Sequence, residues 1–177
     1  CEFSCYAPVM RNHGNRVPYT KIEGKPTVDR FGNPIDHITT GADNEPWSYG
    51  EDIERLMVKY INLREAMRPY TRQLFAAAHE SGQPLVRGLF FDFPGDDEAA
   101  NIADEYLFGP DLLIAPVTES GVRSREVYLP GGPETTWTNL HDGNSHEGGQ
   151  TVTVEAPLDV IPVFARNGAD HGLNGMI

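Results

Sequence analysis

The sequence is poor in cysteine, in positive charge and in long apolar runs, and each shortage excludes something. Two cysteines, Cys1 and Cys5, occur among 177 residues, too few for a disulfide framework. Read as extended chain, at about 3.3 Å of rise per residue, they stand too far apart to bridge. Lys and Arg number 14 against 26 Asp and Glu, a net charge of −12, which argues against binding nucleic acid or an anionic membrane surface, both of which need an excess of cations. The longest apolar stretch, Leu112 to Val117, spans six residues, whereas a bilayer takes roughly 20. The six histidines are scattered, without the spacing of a metal site. No Gly-rich phosphate loop, G-x-S-x-G elbow or Cys-His pair is present, so no cofactor and no metal is implied. An initiator Met, a basic leader and an apolar signal core are missing too, so the chain is expected to be a fragment from inside a longer protein. The lack of an N-x-S/T sequon and of paired cysteines leans towards an intracellular location.

What is present divides into two textures. Phe3, Cys5, Ala7 and Val9 alternate and then give way to a polar turn, which predicts a strand with chemistry just past Val9. Asn15 to Asn44 is rich in Gly, Pro, Asn, Asp and Thr and longer than an ordinary connection. It predicts an ordered loop with short extended pieces near Pro18 to Ile22 and Ile35 to Thr39. Ser48 and Glu51 have capping-box spacing, and Ile53, Leu56, Met57, Tyr60, Ile61, Met67 and Leu74 follow at helical intervals. A long helix from Tyr49 to Ser81 is expected, broken or kinked at Pro69 and ended by Gly82. Leu85 to Phe93 predicts a strand with Leu85, Arg87, Leu89, Phe91 and Phe93 on one face, and Asp97 to Phe108 a short helix. From Asp111 onward short β-prone runs separated by Gly, Pro, Asn and Asp predict a β-sandwich. The fold class read from this order is α/β plus all-β, with a boundary near Gly109 and Pro110.

Local chemistry is sparse. Arg11, Asn12 and His13 follow the expected strand, the end of a (β/α)8 barrel strand that carries chemistry, though Arg-x-His also occurs as a structural pair. Trp47 beside Pro46 reads as a packing anchor or a sugar platform. The acidic run Asp92, Asp96, Asp97, Glu98, Asp104 and Glu105 lacks the ligand pattern of a Ca²⁺ loop and reads as a solvated surface.

Five segments in order carry a resemblance: YAPVMRNHG, EPWSYGED, LREAMRPYTRQLFAAAHESGQPLVRGLFFDFPGD, DEYLFGPDLLIAPVTESGVRSREVYLP and GGQTVTVEAPLDVIPVFARNGA. Together they resemble glycoside hydrolase family 31, the α-glucosidases and α-xylosidases. The resemblance implies that residues 1–108 are the last strands and helices of an incomplete (β/α)8 barrel and residues 109–177 the proximal β-sandwich. It implies a retaining hydrolase acting on an oligosaccharide or α-glycoside. Its Asp nucleophile and Asp acid/base are expected upstream of this chain, so no catalytic residue is named within it and the chain alone is expected to be inactive. His13 matches the family's R-x-H-G motif, where the imidazole reaches the sugar in the cleavage subsite. Arg11 matches a motif position and either touches sugar or supports the loop. Trp47 matches the P-W before the helix, a structural residue with a role at the subsite rim. The sequence departs from the family in the long Asn15 to Asn44 insertion. The rival reading is a non-catalytic carbohydrate-binding or structural module, in which Trp137 and Tyr128 matter. Oligomeric state and sugar identity are left open.

Overall fold

The computed structural model describes residues 1–12, 27–28, 33–35, 45–169 and 171–173. They fall into two compact units, one of residues 11–58 and one of residues 1–10 with 59–177.

The smaller unit contains a two-stranded antiparallel ribbon, β1 (Thr27–Val28) with β2 (Pro34–Ile35). Of the extended pieces expected here, Pro18 to Ile22 lies outside the described residues, and of Ile35 to Thr39 the structure describes Ile35, which is in β2. Pro46–Tyr49 forms a 3₁₀ turn. The expected capping box does not form, because the Ser48 hydroxyl donates instead to Glu45 at 3.4 Å. Gly50, at φ 88°, then redirects the chain into helix α2, whose first turn is acidic at Glu51, Asp52 and Glu54, the favourable charge for a helix N-terminus.

In the larger unit the chain begins with a single helical turn, α1 (Glu2–Cys5), and not with a strand. Its tertiary contacts outweigh the alternation of Phe3, Cys5, Ala7 and Val9. The Glu2 carboxylate accepts the Ile161 N–H at 2.6 Å and the Tyr60 hydroxyl, while Cys5 and Tyr6 are buried side by side. The cysteines are free, Cys1 exposed and Cys5 buried. Helix α2 (Glu51–Ala66) runs on from the smaller unit and is followed by α3 (Arg68–Ser81). The break falls at Met67, where Pro69 enters the first turn of α3 with no N–H to continue the α2 ladder. Gly82 closes α3 at φ 73°, donating to the Ala78 carbonyl at 3.0 Å, as the sequence predicts.

Eight strands follow: β3 (Val86–Arg87), β4 (Tyr106–Phe108), β5 (Leu112–Ile114), β6 (Ser124–Leu129), β7 (Thr136–Asn139), β8 (Ser145–Glu147), β9 (Gln150–Glu155) and β10 (Val163–Arg166). Six form one antiparallel sheet in the order β3-β4-β5-β10-β7-β8, and β6 pairs with β9. The expected strand Leu85 to Phe93 stops after Arg87, and Leu89–Phe91 turn as a 3₁₀ helix. Leu89 and Phe93 are buried; four apart, they satisfy a helical turn as well as a strand, and Gly88 lets the turn win. The expected helix from Asp97 to Phe108 is also absent. Residues 97–101 form turns headed by Asp96, whose carboxylate accepts the Ala99 N–H at 3.1 Å, and the chain then enters β4.

The large sheet is apolar on both faces. Leu107, Leu113 and Phe164 face Val127, Leu129 and Val154 of the β6–β9 pair, with Trp137 between. The alternate residues Phe108, Leu112, Ile114, Val163 and Ala165 face Tyr60, Leu63, Met67, Tyr70 and Leu74 of the two helices. A strand covered on both sides needs no alternation, which explains the continuous LLI of β5. Gly109 and Pro110 lie between β4 and β5, which pair directly. At Gly109, φ is 68° and an added Cβ would meet the Tyr70 hydroxyl at 2.3 Å, the same hydroxyl that donates to the Phe108 carbonyl at 2.8 Å.

Candidate substrate-binding segment

The segment from Cys5 to Asn12 leads into the R-x-H-G motif, and beyond α1 it has no strand or helix to hold it. Its backbone is fixed from outside. Arg64, on α2, donates from one guanidinium nitrogen to the carbonyls of Cys5 at 2.8 Å and Ala7 at 2.7 Å, and from the other to Pro8 at 2.8 Å. The guanidinium carbon also stands 5.9 Å from the centre of the Phe108 ring. Tyr106 donates to the Tyr6 carbonyl at 3.0 Å and stacks edge-on against Phe3 at 6.0 Å. The sequence reading missed Arg64. The available signal was its place on the buried stripe of α2, four residues after Tyr60 and three before Met67.

Of the residues expected to bind sugar, Arg11 is exposed and Trp47 is 65% exposed in the 3₁₀ turn. Both belong to the smaller unit. His13 lies outside the described residues.

Beside the segment is a cavity of about 610 Å³, whose lining includes Phe3, Tyr6, Ala7, Pro8, Val86, Tyr106 and Pro116 together with the carboxylic residues Asp104 and Glu105. Glu105 is 6% exposed, and burial raises its pKa to about 7 against the opposing pull of the Tyr128 N–H and Arg125. Its Oε1 accepts from Tyr128 at 2.9 Å and Arg125 at 3.2 Å. Arg125 also pairs with Asp104 at 3.1 Å. Glu2 and Asp111 are likewise raised, mainly by burial. These three carboxyls sit on separate elements and each serves protein partners, unlike a retaining pair facing one anomeric carbon at about 5 to 5.5 Å.

The acidic run is only partly the solvated surface expected of it. Asp97, Glu98 and Asp104 are exposed. Asp92 instead pairs with Arg87 at 3.2 Å, and Asp96 accepts from the Tyr128 hydroxyl at 2.8 Å and the Gly131 N–H at 3.0 Å, which holds its carboxyl below the usual range despite the opposing effect of partial burial. The rival reading loses its platform for the same reason. Tyr128 is buried with its hydroxyl on Asp96, and Trp137 is fully buried with its indole N–H on the Pro130 carbonyl at 2.9 Å. Neither ring face is open to a glycan.

Residues 82–169 match the glycosyl hydrolase family 31 C-terminal domain. Over 125 residues the chain is 41% identical to alpha-glucosidase 2 of Bacillus thermoamyloliquefaciens, a match covering 71% of this chain and 16% of that protein. It is 30% identical over 168 residues to the alpha-xylosidase of Saccharolobus solfataricus, covering 95% and 19%. The crystal structure of a GH31 alpha-xylosidase from a soil metagenome, complexed with xylose, superimposes with a TM-score of 0.80 at 46% identity over 95% of this chain and 24% of that one. The chain thus spans less than a quarter of the proteins it matches. The family match over residues 82–169 and relatives that align with 71% to 95% of the chain agree: the chain belongs to glycoside hydrolase family 31.

Proposed function

We propose that this chain is the carboxyl-terminal part of the catalytic barrel, with the proximal sandwich, of a retaining α-glycoside hydrolase. In this reading the polypeptide up to Gly82 supplies the last barrel units, and the sandwich begins with β3, earlier than Gly109, since the family match starts at residue 82. The nucleophile and acid/base belong to polypeptide upstream of Cys1. This chain contributes His13, whose imidazole hydrogen-bonds a ring hydroxyl of the sugar being cleaved, with Arg11 beside it and Trp47 at the rim.

The observation that carries the reading is the extent of the matches. The two alpha-xylosidases align with 95% of the chain, the motif segment and long insertion included in its length, whereas the alpha-glucosidase aligns with 71%. A sulfoquinovosidase also aligns with 96% of the chain and another GH31 alpha-xylosidase with only 74%, so the matches support an α-glycoside substrate and the choice of sugar falls to the assay. The test is to assay the complete polypeptide that carries this sequence on aryl α-xylosides and α-glucosides, following the anomer released by NMR. Hydrolysis of at least one of the two substrates with release of the α-anomer is expected. Inversion at the anomeric carbon, or no hydrolysis of either substrate, overturns the reading. The 177 residues by themselves should hydrolyse neither.

A further inference from the structure

We propose that Arg64 is a positioning residue for the sugar-binding segment, fixing the backbone from Cys5 to Pro8 and thereby the departure of the chain towards Arg11 and His13. The proposal rests on the reading of His13 as a sugar ligand.

The geometry assigns the guanidinium an unusual task. Its three hydrogen bonds all run to main-chain carbonyls of one short stretch, those of Cys5, Ala7 and Pro8. Among the described residues no carboxylate pairs with it. Burial lowers its pKa, yet an arginine stays charged at any ordinary pH. A desolvated cation with no counter-ion is costly unless its donors are satisfied, and here the backbone satisfies them. A methionine of similar length would pack its stem near Phe108 at lower desolvation cost. What only the guanidinium supplies is a planar fork spanning three carbonyls; a lysine ammonium, a point donor, cannot reproduce it.

The segment needs such a hold. Pro8 has no N–H, and residues 7–12 belong to no strand or helix. Arg11 follows Pro8 by only three positions and His13 by five. An error of about 1 Å in placing a group at a reacting centre is enough to cost roughly a hundredfold in rate, so a clamp this close in sequence acts on catalysis without touching substrate.

The test uses the complete polypeptide and the variants Arg64→Met, Arg64→Lys, His13→Ala and Arg64→Met with His13→Ala. Arg64→Met should lower kcat/KM for an aryl α-glycoside roughly 10- to 100-fold, with Arg64→Lys between it and the parent. In the His13→Ala background the further loss should shrink to within about threefold, because residues acting through one another are not additive. Amide hydrogen exchange should rise across residues 5–12 in Arg64→Met while β4 and β5 stay protected. Unchanged exchange at residues 5–12, or an equal added loss of kcat/KM in both backgrounds, overturns the proposal. If the parent protein hydrolyses no α-glycoside, the functional reading falls, and the exchange measurement alone decides whether Arg64 holds the segment. Should Arg64→Met fail to fold, Arg64→Lys carries the same measurements.

Discussion

Trp137 and Trp47 are the two tryptophans of the chain, and they mark how its two regions differ. Trp137 sits at 0% exposure between the large sheet and the β6–β9 pair, its N–H on a backbone carbonyl. Trp47 is 65% exposed beside the start of α2. The arginines divide in the same way. Arg87 and Arg125 lie in ion pairs with Asp92, Asp104 and Glu105, whereas Arg11 is exposed. In the sheet region even charged and aromatic groups serve packing, while Arg11 and Trp47, two of the residues that the family resemblance singles out, are exposed. Residue type alone therefore does not separate a sugar platform from a core anchor; what decides is whether the ring has a layer on each side.

The sharpest way to break this comparison is to truncate both tryptophans. Trp137→Ala should destabilise by roughly 3 to 5 kcal/mol, the usual cost of removing a large aromatic from a closed core, seen as a lower denaturant midpoint. Trp47→Ala should stay within about 0.5 kcal/mol of the parent. Equal losses at the two positions would dissolve the distinction.

A second prediction reverses the readout. In the complete polypeptide, His13→Ala should lower kcat/KM on the order of tenfold to a hundredfold, the worth of roughly 1 to 3 kcal/mol in a hydrogen bond to a sugar hydroxyl. The melting temperature should not change. A fall in melting temperature with near-normal kinetics would make His13 a core residue and sink the subsite assignment.

The sequence reveals these regions unequally. The helix pair was legible because Pro69 and Gly82 act through backbone chemistry that no neighbour can override, and the β-rich half because Gly and Pro punctuate short apolar runs. Two of the misreadings share one cause: spacing of two and spacing of four coincide over short stretches. Phe3 to Val9 and Leu89 to Phe93 both alternate, yet Glu2 hydrogen-bonded to Ile161 and the buried pair Leu89 and Phe93 accompany helical turns at Glu2–Cys5 and Leu89–Phe91. Asp97 to Phe108 has helical composition, but Leu107 and Phe108 are claimed by Leu113 and Leu112 across the β4–β5 ladder, a long-range pairing that no local pattern encodes. The candidate site came from the motif resemblance. Arg64 escaped because its partners are carbonyls, which carry no residue-type signature.

Glu105 supplies a smaller effect inside the sheet region. Its pKa of about 7 lies above the ordinary carboxylate value because of burial, so the folded protein holds that proton more tightly than the unfolded chain does. The stability linked to it is complete below the unfolded value near 4.5 and is lost as pH rises through about 7. Glu105→Gln, which does not titrate, should gain on the parent by on the order of 1 kcal/mol between pH 5 and pH 8. A difference in melting temperature between the two that stays constant over this range would mean that Arg125 keeps the carboxylate charged throughout.

The smallest expected effect concerns which sugar is accepted. Asn15 to Asn44 follows the Arg11–His13 motif directly in the chain, and barrel enzymes carry much of their specificity in the loops at the active-site end. The part of this stretch that the structure describes holds the β1–β2 ribbon, with Thr27 opposite Ile35 and Val28 opposite Pro34, so the insertion contains hydrogen-bonded structure of its own. Tyr19 and Phe31 are the aromatic residues of this stretch, with Trp47 just after it; of the three, Trp47 is among the described residues and is exposed. If the insertion contributes to discrimination, replacing Asn15 to Asn44 by a short Gly-Ser connection should leave hydrolysis of a small aryl glycoside in place while moving the ratio of kcat/KM for α-xyloside over α-glucoside towards one, by roughly threefold or more, under 1 kcal/mol in binding terms. The comparison has to be made at matched stability, because a shortened loop also changes the closure entropy of the chain, by only about 0.6 kcal/mol for each halving of its length. A ratio that stays fixed for xylosides and glucosides across several chain lengths would reduce the insertion to a surface addition and leave selection of the sugar to His13, Arg11 and the upstream barrel.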